Sequence, residues 1–209
     1  VTITATDAAG GVSGGTTLTV GPAQLNRIVV TCKTCGSGSS NVPAGFKAQF
    51  KAVGTYSDGS TADLTTSASI TWSVLNTAVA TVDSSSNKGL VTGVAAGSTT
   101  LVAQVGNVQG TAALPVTGET LGSIQVTPAN PTIVASNTLQ FTATGSFSGG
   151  STLDITLNNS TAWASSFTQA VSINASTGLA QGGNLPGNAT ISATNGSVSG
   201  NTTATHTLR

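Results

Sequence analysis

An all-β chain made of repeated sandwiches is what this sequence predicts, on three observations. Strand and turn formers dominate it, apolar and polar residues alternate at period two, and one long motif returns 91 residues later. Thr and Val favour strands, while Gly, Asn and Ser favour turns. Methionine is missing, leucine is scarce, and no long apolar stretch at 3.6-residue spacing argues for helix. With 209 residues, 38% of them apolar, the chain can bury one large core or two of ordinary size.

The elements follow in chain order. Val1 to Thr6 and Thr17 to Val20, with Gly11-Val12-Ser13-Gly14 between them, read as the closing hairpin of a preceding repeat. A start at Val1, in mid-pattern and without Met, reads as a processed chain or a fragment. Two strands alone are marginal in water. The hairpin therefore belongs to a longer array, packs on the next domain, or adds to a neighbouring subunit, and the first reading is preferred. Leu25 to Val30 opens the first whole repeat. Ala48, Phe50, Ala52, Gly54 and Tyr56 then alternate with Gln49, Lys51, Val53 and Thr55, the signature of a strand half buried on a core. Ser57-Asp58-Gly59-Ser60 is a tight turn, because Gly accepts positive φ. Ile70, Trp72 and Val74 form a second inward face, and Ala80 with Val82 a third.

The second repeat retraces this course. Leu121 to Val126 reopens it, Leu139 to Phe147 alternates again, and Ser148-Gly149-Gly150-Ser151 turns. Phe141 and Trp163 stand 91 residues beyond Phe50 and Trp72, whereas Leu121 stands 96 beyond Leu25. The extra residues fall around Cys32 and Cys35. The expected domains are therefore the hairpin over 1–22 and two sandwiches over 23–118 and 119–209.

These motifs resemble the bacterial Ig-like group 2 domain found in intimin- and invasin-type surface proteins. The resemblance rests on Phe50 to Thr65, Val79-Ala80-Thr81-Val82 and Gly89 to Gly97 in repeat one, and on Leu121-Gly122-Ser123-Ile124-Gln125-Val126-Thr127-Pro128 in repeat two. Repeat two departs at Asn184 to Gly187 and carries Gly149 where the family prefers Asp. The resemblance implies tandem immunoglobulin-like β-sandwiches in an extracellular module that serves as spacer, stalk or structural unit. It implies no chemistry.

Charge bounds the partners. Six Lys and Arg balance six Asp and Glu, which gives no basic field for nucleic acid or an anionic membrane. No apolar run is long enough to span a bilayer. Between Thr120 and Arg209 only Asp154 and Arg209 are charged. Such an uncharged surface calls for glycans or for burial against neighbouring subunits, and favours packing in an assembly.

Few residues invite chemistry. Cys32-Lys33-Thr34-Cys35 lacks the second ligand pair that zinc needs, the His of haem attachment and a βαβ context, so a local disulfide pinning an inserted bulge is expected. His206 has no nucleophile partner and is expected at a surface or interface. Asp58, Asp63 and Asp154 sit in or beside turns, where capping outweighs weak calcium binding. Trp72 and Trp163 are expected in the cores rather than on a glycan site. Asn158, Asn159, Asn174, Asn188, Asn195 and Asn201 open Asn-x-Ser/Thr sequences. No catalytic, cofactor or metal residue is assigned. The expectation is a non-enzymatic stalk, rod or filament unit outside a bacterial cell, whose partners are copies of itself or further repeats. The alternative is an adhesion module gripping cell-surface glycan or protein, with Phe46 and Phe167 as its candidate exposed aromatics.

Overall fold

A computed structural model describes every residue except Val20, Ser37, Gly38, Asn159 and Arg209. All regular structure among the described residues is β, and no helix is long and apolar enough to cross a membrane.

Thr2–Thr6 and Ser13–Thr17 pair as an antiparallel hairpin. Every described residue of the first 22 is exposed, including Ile3 and Leu18, so the hairpin does not pack on the following sandwich.

Repeat one is two facing sheets. In one, Leu25–Cys32, Lys47–Tyr56, Leu90–Gly93 and Ala80–Val82 lie side by side, with Thr61–Asp63 also paired to Lys47–Tyr56. In the other, Val42–Pro43, Val108–Thr117, Gly97–Val105 and Thr71–Val74 follow in that order. The ten-residue strand Lys47–Tyr56 serves two neighbours. Its first residues pair with Leu90–Thr92, and from Phe50 onward it pairs with Leu25–Cys32.

Repeat two has the same course. Leu121–Thr127 pairs with Thr142–Phe147 and that strand with Thr152–Asp154. Thr138–Gln140, Leu179–Gly182 and Val171–Ile173 continue this layer. Thr132–Val134, Val198–Thr207, Gly187–Asn195 and Thr161–Ser165 make the opposing one. Phe141 interrupts the long strand here, but its amide donates to the Gly178 carbonyl just as Phe50 donates to Gly89.

Side-chain parity builds both cores. Ala48, Phe50 and Ala52 are buried in repeat one, and Phe141, Ala143 and Phe147 in repeat two. Burying a large apolar side chain contributes about 1.5–3 kcal/mol. Trp72 and Trp163 lie inside, as expected, and each indole N–H donates to a carbonyl, Thr65 at 3.2 Å and Thr156 at 3.3 Å. The bond matters because a buried indole N–H without an acceptor is costly. Gly59 and Gly150 close equivalent turns at φ 83° and 86°, a region other residues rarely enter.

Candidate functional site

The junction between the sandwiches carries the features that the repeat pattern alone does not explain. Gly118, Glu119 and Thr120 connect them. Ser148 N–H donates to the Thr120 carbonyl at 2.9 Å, Thr120 N–H donates to the Ser148 hydroxyl, and the Ser151 hydroxyl donates to the Glu119 carboxylate. The turn of repeat two thus holds its own leader. Gln24 and Ser57 repeat the arrangement at the start of repeat one.

Cys32 and Cys35 are joined by a disulfide, their Cα atoms 5.7 Å apart. The bonded loop crosses to the other sandwich. Cys35 forms an antiparallel bridge with Leu153, Gly36 N–H donates to the Thr152 carbonyl at 2.8 Å, and Asp154 N–H donates to the Thr34 carbonyl at 2.8 Å. Residues 34–36 therefore add a short strand to the free edge of Thr152–Asp154. A Cβ at position 36 would meet the Thr152 hydroxyl, which would have to turn away to admit a side chain there. Phe46 meets Phe147 edge-on beside this clip, ring centroids 4.9 Å apart.

Two adjoining depressions open along the same side. The first, about 490 Å³, is lined by Lys33, Gln49, Lys51, Asp63 and Lys88 among others. The second, about 350 Å³, lies at the junction, with Lys33, Lys47 and Gln49 on one wall and Asp154, Leu157 and Asn158 on the other. Lys47, Gln49 and Lys51 are alternate residues of one strand and share its outward face. Lys51 pairs with Asp63 at 3.4 Å. The Lys88 ammonium donates to the carbonyls of Ser67 and Ile70, at 2.7 and 3.2 Å. Among the described residues, neither Lys33 nor Lys47 has a carboxylate within ion-pair distance. The side-chain hydroxyl and backbone N–H of Thr65, more than nearby Lys51, hold the Asp63 carboxyl below the usual carboxylate range. Whole-chain charge balance hid this stripe. The signal that finds it is lysine at positions 47 and 51 on one strand face.

The other singled-out residues fall elsewhere. Asp58 accepts from the Ser60 N–H and hydroxyl, Asp63 from those of Thr65, and Asp154 from the Thr156 N–H. His206 is not at a surface: it is 1% exposed inside repeat two, its Nδ1 2.8 Å from the Leu185 carbonyl. Its Nε2 has no partner among the described residues. Parity explains the correction. Gly200, Thr202, Ala204 and His206 all face inward, and His206 stands opposite Ile133 where Val116 stands opposite Val42 in repeat one. Phe46 and Phe167 are half-buried against the core, not exposed on loops. Asn174, Asn188 and Asn201 are exposed, Asn195 is half-buried and Asn158 is buried, while Asn159 lies outside the described residues. Among the described residues, no group of three or more His, Cys, Asp and Glu could hold a metal ion.

Over 165 residues, 79% of its length, the chain is 42% identical to Ice-binding protein 1 of Shewanella frigidimarina (strain NCIMB 400), and it covers 17% of that protein. A structure of surface layer protein SbsC, domains 4-9, is 23% identical at a TM-score of 0.47, over 95% of this chain and 34% of that one. The SbsC domain 5-6 structure is 22% identical at a TM-score of 0.46, over 88% of this chain and 98% of that one. The family model described as "Bacterial Ig-like domain (group 2)" matches twice, over residues 30–116 and 121–206. With both repeats matched almost end to end, the chain belongs to the bacterial Ig-like domain family, group 2.

Proposed function

We propose that this chain is a load-bearing spacer of a bacterial extracellular surface protein, two sandwiches held in series so that they carry and orient other domains. The observation that carries the reading is the junction. The Cys32–Cys35 loop pairs with the edge of repeat two, and Phe46 packs on Phe147. A module that only filled space would not need its repeats fixed to each other. Family membership supports an extracellular array. The match to 17% of a protein called Ice-binding protein 1 supports a part played within a much longer chain. On this reading the exposed 1–22 hairpin is the closing hairpin of a preceding sandwich, and neighbouring repeats are the principal partners.

Small-angle scattering tests the spacer reading. A single stiff two-lobed particle at every salt concentration is expected, and a broad distribution of inter-lobe distances would count against it. Thermal hysteresis of the isolated chain is the second measurement: none is expected, and clear activity would assign ice binding to these two sandwiches and count against a spacer role.

A further inference from the structure

The lysines of repeat one are not scattered. Four of the chain's six Lys and Arg residues, Lys33, Lys47, Lys51 and Lys88, line the two adjoining depressions. We propose that this groove binds an acidic polysaccharide, one carrying carboxylates among hydroxyls, laid along the outward face of Lys47–Tyr56 toward the domain junction. This goes beyond the spacer reading and does not depend on it.

Two features of the groove select that chemistry. Its cations are unevenly engaged: Lys51 and Lys88 are held by Asp63 and by two carbonyls, while Lys33 and Lys47 have no carboxylate partner among the described residues. Lys33 and Lys47, whose charge no carboxylate pairs among the described residues, are where ligand carboxylates dock. Its other lining groups suit hydroxyls. Asp63 and Asp154 are acceptors, and Gln49 spends its amide nitrogen on the carbonyls of Phe50 and Lys88, which leaves its oxygen as an acceptor. Acceptors interleaved with cations match a ligand that donates hydroxyls between its negative charges.

The same features disfavour nucleic acid. Lys47 and Lys51 lie four strand residues apart, about 13 Å at strand rise, whereas each strand of a nucleic-acid duplex carries one phosphate per about 3.4 Å of helix axis. Two carboxylates would face that dense charge. The aromatic in the lining, Phe50, is fully buried and offers no face for base stacking.

The test is titration of the full chain, by calorimetry at low salt, with a polygalacturonate oligomer of about twelve units, a neutral dextran oligomer, and single-stranded DNA of equal charge. The K33Q/K47Q chain is compared with R27Q, which alters an exposed cation outside both depressions. Melting curves check that each variant folds. Expected are binding of the uronate but not of dextran, a loss of about tenfold or more in affinity for K33Q/K47Q, as two screened charge contacts would give, and little change for R27Q. No uronate binding, or equal losses in the two variants, overturns the site. DNA binding as tight as uronate binding overturns the partner.

Discussion

Trp163 shows what a single position supports. It fills the centre of repeat two, donates to Thr156 and lies against Phe141, ring centroids 6.4 Å apart. Trp163→Ala should cost repeat two about 3–5 kcal/mol and leave repeat one nearly untouched, so denaturant unfolding should split into two transitions. His206 behaves differently. It occupies a valine's place and buries a ring nitrogen that nothing satisfies among the described residues. The substitution removes a buried nitrogen that has no partner among the described residues, and the carbonyl it releases belongs to Leu185, an exposed residue beside solvent, where water can take the place of the ring. His206→Leu is therefore expected to keep chemical-denaturation stability within about 1 kcal/mol of the parent or raise it. A loss of several kcal/mol would mean that the Leu185 contact contributes more than this reading allows.

At the scale of elements, the clip decides how the sandwiches communicate. A disulfide closing so short a loop stabilises little by chain entropy; the role assigned to it is to hold residues 34–36 in the extended course that pairs with Thr152–Asp154. Cys32→Ser/Cys35→Ser should leave the melting of each sandwich almost unchanged and widen the inter-lobe distance distribution in scattering or spin-label measurements. Phe46→Ala removes an edge-to-face pair worth about 0.5–1.5 kcal/mol beyond its buried area and should lower the coupling between the two unfolding transitions. If neither variant alters inter-lobe mobility, the connection through Glu119 and Thr120 is sufficient by itself.

For the whole molecule, acid is the informative variable, because the shifted carboxylates lie in repeat one. Asp58 and Asp63 are lowered first by the hydroxyls of Ser60 and Thr65, and Asp83 first by the Ser85 backbone N–H. A carboxyl lowered in the folded state stabilises above its unfolded value, and that contribution fades as pH falls through the folded value. Repeat one should hold its melting temperature from neutrality down to about pH 4 and lose it progressively below. Asp58→Asn/Asp63→Asn/Asp83→Asn should flatten that decline in calorimetry. A parent profile already flat between about pH 2 and 6 would remove the carboxylates from the account.

Much of this protein is written locally. Period-two alternation over Ala48 to Tyr56 and Leu139 to Phe147 determined which faces are buried, since a strand gives neighbouring side chains opposite faces. Positive-φ glycines determined the turns, and the repeat determined that the fold occurs twice. His206 was equally legible from the parity of Gly200, Thr202 and Ala204, had the parity outweighed the polarity of the ring. What only the tertiary structure decided lies between residues far apart in sequence. That the Cys32–Cys35 loop reaches the edge of Thr152–Asp154, that Phe46 meets Phe147, and that Lys33 and Lys88 flank the Lys47–Lys51 face all depend on where loops end in space. Sequence periodicity carries the direction of a side chain from its own strand, and it carries no information about which strand of another sandwich stands opposite.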